Sequence, residues 1–116
     1  MKPEILWSKD AGEELIEIIS YIKNNTGKMT AEKIYKKITD EVKRASENAS
    51  GRRISPLLKE FGIMDIHQLN INPWIIYYRV EKNIMKIISI IDGRRNLEEI
   101  LYRKVLDGKI YPNSPV

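Results

Sequence analysis

The sequence predicts an α+β fold in which a small antiparallel sheet packs on an N-terminal helix hairpin. Up to about residue 50, apolar residues recur every three or four positions, as they do on one face of an amphipathic helix. From Ser55 onward, the pattern changes to short runs of β-branched and aromatic residues between turns. The chain has 116 residues, a length typical of one domain, so we assign residues 1–116 to a single domain. The predicted order of elements is β-α-α-β-β-β-α.

The first strand and the first helix are predicted from residues 4–28. The run EILWS, residues 4–8, predicts a short opening strand. Ser8 is then placed to cap the first helix, with Asp10 in the first turn, where a carboxylate suits the helix dipole. The segment NNTGK, residues 24–28, ends this helix. Its apolar stripe consists of Ala11, Leu15, Ile18, Ile19 and Ile22.

A second amphipathic helix follows after a short link. Thr30 is predicted to cap it, and Gly51 is predicted to end it. Its apolar stripe consists of Ala31, Ile34, Ile38, Val42, Ala45 and Ala49. Two long helices joined by so short a link predict an antiparallel helix hairpin.

Three strands are predicted in the second half of the chain. The segment between Pro56 and Gly62 fits either a loop or one helical turn, and the strands MDIHQLNI, WIIYYRV and IMKIISII follow it. Asn72–Pro73 and the tripeptide EKN supply the turns between them. The last strand is apolar at both parities, so we place it at the centre of the sheet with both faces covered. Its predicted faces are Ile84, Ile88 and Ile90 on one side, and Met85, Ile87 and Ile91 on the other.

The opening strand and the strand that contains His67 are therefore the predicted edges of the sheet. After Gly93, the spacing of Asn96 and Glu99 matches a capping box and predicts a last helix that runs to about Asp107. The remaining residues, GKIYPNSPV, are interpreted as a tail.

Composition excludes several kinds of chemistry. The chain has no cysteine and one histidine, so it offers neither a thiol nucleophile nor a thiolate or histidine-rich zinc site. We expect no metal and no other cofactor. No apolar run approaches the roughly 18–20 residues that a membrane span needs. The N-terminus does not resemble a signal peptide, so we expect a cytoplasmic protein without membrane association.

Basic residues are concentrated in two segments. The net charge is +4, and residues 28–53 hold eight lysines and arginines against four acidic residues. Residues 82–95 hold four basic residues and one acidic residue. Solvated helix faces would account for each run alone, but two basic segments in one small domain favour a polyanionic or acidic partner.

Four motifs in order carry a resemblance to a known family. They are WSKDAGEELIEIISYI at residues 7–22, GRR at 51–53, YYRV at 77–80 and IISIIDGRRNLEEIL at 87–101. Together they resemble the RelE/ParE family of toxins from type II toxin–antitoxin systems, which includes plasmid stabilisation proteins. The resemblance covers nearly the whole chain and implies the same β-α-α-β-β-β-α fold.

The resemblance implies a toxin that inhibits growth and that a cognate antitoxin neutralises. The antitoxin should be encoded by the neighbouring gene. RelE-like members cut mRNA in the ribosomal A site, whereas ParE-like members inhibit DNA gyrase without cutting RNA. The family name alone therefore leaves two mechanisms open.

Arg79 has two interpretations. It shares its strand parity with Ile75 and Tyr77, and it matches the arginine of the family's Y-R-V strand, which lies in the active site of cleaving members. There its guanidinium would stabilise charge on a scissile phosphate. The structural alternative is an ion pair with a carboxylate such as Glu60 or Glu81.

An endoribonuclease would need acid and base groups beside this arginine. The candidate catalytic set is Arg79, Arg94, His67 and Tyr77. The favoured alternative for His67 is a partly buried, hydrogen-bonded histidine, and the favoured alternative for Tyr77 is a core residue. The family usually has arginine at the position of His67 and histidine at the position of Asp92. No complete acid–base set is therefore apparent.

We accordingly favour a toxin that acts by binding rather than by catalysis, with DNA gyrase as its target. The candidate target-binding residues are Arg52, Arg53, Arg94 and Arg95. The alternatives are a ribosome-dependent mRNA endoribonuclease, and an inactive relative retained as an antitoxin-binding module.

Overall fold

A computed structural model describes residues 4–111 and confirms the α+β architecture. The segment around Pro56, which the pattern left open, forms one short additional helix. The elements are β1 (Glu4–Trp7), α1 (Lys9–Thr26), α2 (Lys28–Ser46), α3 (Pro56–Glu60), β2 (His67–Ile71), β3 (Trp74–Glu81), β4 (Ile84–Asp92) and α4 (Leu97–Leu106), with a 3₁₀ turn at Ala49–Gly51. No helix within residues 4–111 is both long enough and apolar enough to cross a membrane.

The sheet has four strands in the order β1-β4-β3-β2. Strands β2, β3 and β4 form the predicted antiparallel meander. The prediction of a wholly antiparallel sheet is wrong, because β1 pairs with β4 in parallel and the sheet is mixed. The β3–β4 hairpin turns at Lys82 and Asn83, which both have positive φ angles, as a tight two-residue turn requires. The central position of β4 and the two predicted edges, β1 and β2, are confirmed.

The helix hairpin confirms one predicted cap and corrects two predicted boundaries. The hydroxyl of Ser8 accepts a hydrogen bond from the amide of Ala11 at 3.1 Å and caps α1. The predicted cap at Thr30 is wrong, because Gly27 alone, at a φ of 117°, reverses the chain and α2 already begins at Lys28. The predicted end of α2 at Gly51 is also wrong, because the helix stops at Ser46 and a 3₁₀ turn follows.

Both faces of the sheet are covered, which gives the domain two apolar cores. The first lies between the sheet and the hairpin, and its largest members include Ile38, Val42, Leu69, Ile76, Tyr78, Met85 and Ile87. The second lies between the sheet and the segments α3 and α4, and contains Leu58, Ile63, Ile66, Tyr77, Ile91, Leu101 and Ile110. Ile110 is 1% exposed, so the interpretation of residues 108–116 as a tail is wrong for the described part of that segment.

A β-bulge changes the alternation of side chains in β4. The register between β3 and β4 shifts at Tyr77 and Tyr78, where one extra residue of β4 is inserted. Met85 and Ile87 face the hairpin together, as predicted. Beyond the shift, Ile90 joins them and Ile91 faces the second core, which reverses the prediction for these two residues.

A carboxylate from α1 completes the edge of β4 where β1 has ended. Glu14 accepts hydrogen bonds from the hydroxyl of Ser89 at 2.9 Å and from the amide of Ile90 at 3.2 Å. It also pairs with the Nζ of Lys104 on α4 at 3.0 Å. These contacts satisfy polar groups of a strand edge that β1 does not reach, and they join both helical layers to the sheet.

Candidate functional site

Arg79 lies near the end of β3 and is 3% exposed. Its Nε and Nη2 donate to the two carboxylate oxygens of Asp65 at 2.7 and 3.1 Å, which is a bidentate ion pair. The structure therefore places Asp65 opposite Arg79, rather than Glu60 or Glu81, which the sequence suggested. Glu81 instead pairs with Lys86 at 3.1 Å.

The C-terminal segment encloses the same guanidinium. Nη2 of Arg79 also donates to the backbone carbonyl of Tyr111, and the Tyr111 ring centroid lies 5.2 Å from the guanidinium carbon. The burial of Ile110 in the second core holds this segment in place. Sequence reasoning missed Asp65 and Tyr111. The only available signal was general: a cation in the middle of an apolar strand must find a counter-charge.

A groove of about 400 Å³ lies beside Arg79 on the face opposite the hairpin. Most of its charges are already paired within the chain. Lys109 contacts Asp10 at 2.9 Å, and Lys86 contacts Glu81. The groove therefore presents few cations that are available to a phosphate.

His67 has the environment of a structural histidine. It is 9% exposed and stacks on Tyr78, with ring centroids 5.1 Å apart and planes at 15°. Its Nδ1 lies 2.9 Å from the carbonyl oxygen of Arg52. Because a carbonyl can only accept, Nδ1 donates and carries the proton. This arrangement agrees with the buried, hydrogen-bonded interpretation.

Tyr77 and Tyr78 are core residues on opposite faces of the sheet. Burial raises the pKa of Tyr77 to about 12, and it raises the pKa of Tyr78 to about 12 against an opposing effect of the nearby Arg52 charge. The hydroxyl of Tyr78 donates to the carbonyl of Ala49 at 2.7 Å. A phenol with so high a pKa, and 1% exposed in the case of Tyr77, is poorly suited to proton transfer with a bound substrate.

The structure does not bring the four candidate catalytic residues together. His67 stacks on the hairpin side of the sheet, whereas Tyr77 and the partners of Arg79 lie on the side of the second core. Arg94 follows the far end of β4, where Asp92 pairs with the first residue of β3, Trp74.

Arg94 is exposed but held by a neighbour. Its Nε and Nη2 donate to the carboxylate of Asp92 at 3.0 and 2.6 Å, and its amide donates to the same carboxylate at 2.9 Å. These hydrogen bonds lower the pKa of Asp92 to about 2. The amide of Arg95 donates to the carbonyl of Asp92 at 3.1 Å and closes the turn, with its side chain exposed. The residue that replaces the family's histidine therefore binds the arginine two positions later.

Arg52 and Arg53 lie at the opposite end of β2 from the Arg94–Arg95 turn. Arg52 is half-buried, and its Nε is enclosed with no hydrogen-bond partner in the described part of the chain. Arg53 is exposed, and its carbonyl accepts from the amide of Gln68 at 2.9 Å. The four candidate target-binding arginines thus form two separate pairs, about the length of a five-residue strand apart.

The chain belongs to the ParE toxin family. The family model described as ParE toxin of type II toxin-antitoxin system, parDE, matches residues 5–97. The resemblance inferred from the four motifs is confirmed.

The fold is similar to that of a solved structure described as the chromosomal ParDE TA system from P. aeruginosa. The TM-score is 0.67 at 20% identity, over 78% of this chain and 96% of the other. No curated protein matches the chain. The family match ends at the first residue of α4, so nearly all of that helix and the segment over Arg79 lie beyond it.

Proposed function

We propose that this chain is the toxin of a type II toxin–antitoxin pair and inhibits growth in the cytoplasm by binding a target, with DNA gyrase favoured. Membership of the ParE family supports the toxin assignment. The gyrase assignment is supported by the resemblance to ParE-like members and by the state of the residues that an RNA-cleaving relative would use.

The observation that carries the proposal is the enclosure of Arg79. A guanidinium that is 3% exposed and bound to Asp65 and Tyr111 would have to lose those partners before it could contact a phosphate. Leaving a buried hydrogen-bonding group without its partner typically costs about 1–3 kcal/mol. A cleaving mechanism would therefore begin from an unfavourable rearrangement, whereas a binding mechanism leaves Arg79 where it is.

A cognate antitoxin is the second part of the proposal. The chain carries a net charge of +4, so an acidic antitoxin segment would be attracted to it. Antitoxin segments that fold on binding can cover large surfaces, and exposed apolar side chains such as Ile16, Tyr21 and Met29 offer contacts for one.

A supercoiling assay tests the gyrase assignment. We expect purified chain to reduce the conversion of relaxed plasmid to supercoiled plasmid by gyrase. The neighbouring gene's product, added first, should restore that conversion. Unaltered gyrase activity at a large molar excess of the chain would contradict the gyrase assignment.

Primer extension on mRNA from cells that express the chain tests the endoribonuclease alternative. We expect growth arrest without new codon-phased 5′ ends. Discrete cuts that Arg79→Ala abolishes, while Asp92→Asn retains them, would instead establish cleavage. Growth at the normal rate with well-folded chain present would favour the inactive relative.

A further inference from the structure

A groove of about 260 Å³ runs between α1 and α2, and only these two helices line it. Two rows of residues at helical spacing, one from each helix, meet along this groove. The rows are Gly12, Ile16, Ile19 and Lys23 on α1, and Lys28, Glu32, Tyr35 and Thr39 on α2. The residues that pack on the sheet, such as Leu15 and Ile38, belong to other rows. We call the surface formed by the two rows the hairpin outer face.

Two large apolar side chains are exposed on the hairpin outer face. Ile16 is 64% exposed and Tyr35 is 50% exposed. Gly12 lies one turn before Ile16, and a Cβ atom at this glycine would meet no atom within 4 Å. Glycine inside a helix is destabilising relative to alanine, and packing within the chain does not require it here. The α1 row therefore presents an apolar side chain beside a flat stretch of backbone, which permits close approach of another helix.

The two helices of the hairpin carry opposite charge. Helix α1 has four acidic and two basic residues, whereas α2 has six basic and three acidic residues. Asp10 and Glu14 of α1 already pair with lysines in or after α4. Glu13 of α1 and Lys43 of α2 are exposed and form no ion pair within residues 4–111. Each helix therefore keeps charge that is available to a partner.

We propose that the hairpin outer face binds a second copy of this chain. In a two-fold arrangement with its axis parallel to the helices, α1 of each copy lies over α2 of the other, and the four helices form an antiparallel bundle. Helices of opposite charge then face each other, whereas pairing of each helix with its own copy would bring like charges together. This inference goes beyond the proposed function and does not depend on the identity of the target.

The same arrangement brings individual charges of opposite sign together. Lys23 and Glu32 line the groove at one height, so ten positions further along each antiparallel helix Glu13 is about level with Lys43. A two-fold axis parallel to the helices keeps these heights. Glu13 of one copy then lies over Lys43 of the other, and Lys23 over Glu32, whose contact with Lys28 is 3.9 Å long. Because a two-fold interface contains every contact twice, four complementary pairs result.

The size of the hairpin outer face predicts a weak, reversible dimer. Helices of 18 and 19 residues are about 27 Å long and together about 20 Å wide, which gives a footprint of about 500 Å² per copy. Interfaces of this size are typically transient, so we expect a Kd in the micromolar range. Ile16 is also a contact offered to the antitoxin, so the second copy and the antitoxin would compete for this side chain.

Sedimentation equilibrium of the purified chain, from about 5 to about 200 μM, tests the inference. We expect a monomer–dimer equilibrium. Glu13→Lys places like charges against each other at both copies of the contact, so Kd should rise about tenfold or more, and Lys43→Glu should have the same effect. The double variant Glu13→Lys/Lys43→Glu restores opposite charges, and its Kd should return to within about threefold of wild type.

A pair of surface variants tests the apolar part of the interface. Ile16→Ser should raise the Kd of the dimer about tenfold. The matched control is Leu106→Ser on α4, because Leu106 is 67% exposed and lies outside the hairpin; its Kd should stay within about twofold of wild type. Thermal unfolding followed by circular dichroism checks that each variant folds.

Four results would overturn the inference. A chain that stays monomeric over the whole concentration range removes the dimer and leaves the proposed function intact. A dimer that neither Ile16→Ser nor the single charge variants weaken must use another surface. Single charge variants that weaken the dimer without recovery in the double variant contradict the placement of α1 over α2. A monomer whose complex with the neighbouring gene's product is weakened by Ile16→Ser would assign the face to the antitoxin instead.

Discussion

Arg79 and Arg95 both belong to motifs of the family, yet they lie in opposite environments. Arg79 is 3% exposed and bound to a carboxylate and a backbone carbonyl, whereas Arg95 stands on an exposed turn without an ion pair in the described chain. The buried guanidinium has lost its water and depends on its partners. The exposed one keeps its water and can exchange it for a ligand. A motif position therefore does not define the role of an arginine until burial and partners are known.

The largest effect that would test this comparison is on stability. Arg79→Ala removes the bidentate partner of Asp65, whose side chain is 34% exposed, and the donor to the Tyr111 carbonyl, and should lower the free energy of unfolding by about 1–3 kcal/mol. Arg95→Ala should change it by less than about 0.5 kcal/mol. Urea unfolding followed by tryptophan fluorescence measures both. Equal urea midpoints for the two variants would contradict the distinction between a buried, structural Arg79 and an exposed Arg95.

The next largest expected effect is a loss of folding stability at alkaline pH. The pKa values of Tyr77 and Tyr78 are about 12 in the folded chain and about 10 when unfolded, so the unfolded state loses these protons first. Their contribution to stability is complete below pH 10 and is lost as the pH rises towards 12. At pH 11, we expect a loss of about 1 kcal/mol from each tyrosine.

Tyr77→Phe is the matched control for this pH dependence. It removes one of the two protons, so the slope of unfolding free energy against pH between 10 and 12 should become shallower. Tyr21→Phe removes the hydroxyl of an exposed tyrosine instead and serves as the surface comparison. An identical slope in wild type and Tyr77→Phe would show that burial does not suppress ionisation of this tyrosine.

The Tyr78 hydroxyl gives a smaller effect at neutral pH. Tyr78→Phe leaves the carbonyl of Ala49 without its donor in the core and should cost about 1–2 kcal/mol. The comparison is again with Tyr21→Phe, for which we expect less than about 0.5 kcal/mol. Thermal unfolding of the two single variants is sufficient to measure the difference. A null effect at Tyr78 would imply that water or another donor replaces the hydroxyl.

The smallest expected effect is at Asp92. The pKa of this carboxyl is held at about 2 in the folded chain, below its ordinary value of 3.8, so its contribution is present above pH 4 and is lost as the pH falls through 2. Because the pair with Arg94 is open to solvent, Asp92→Asn should cost less than about 1 kcal/mol at neutral pH. The variant should lose less stability than wild type between pH 4 and 2 in acid titration followed by circular dichroism.

Local signals in the sequence were sufficient for the elements themselves. The caps at Ser8 and Asn96 were found because the capping hydrogen bonds join residues three positions apart. The edges and the centre of the sheet followed from the distribution of apolar residues along each strand. Each of these features depends on neighbours in the chain, which a single sequence displays directly.

Features that depend on distant contacts were not accessible. The bulge in β4 reverses the faces of Ile90 and Ile91, because one inserted residue changes a two-residue period without altering composition. Asp65 lies 14 residues from Arg79, and Tyr111 lies 32 residues from it. Nothing in the local pattern distinguishes these partners from other acids and carbonyls. The sequence therefore predicted which arginines belong to the candidate site. It did not predict which of them are enclosed by other residues and which are exposed to solvent.

The segment before α3 has a consequence for association of the sheet with other chains. The amide of Ser55 donates to the carbonyl of Ile66, and the carbonyl of Arg53 accepts from Gln68, so this segment covers the first part of the outer edge of β2. Fibrous strand-to-strand stacking needs two unobstructed edges on every copy. Because the first part of the β2 edge is already paired, a second chain could join β2 only along the rest of the strand, which shortens the hydrogen-bonded contact that open-ended stacking would need.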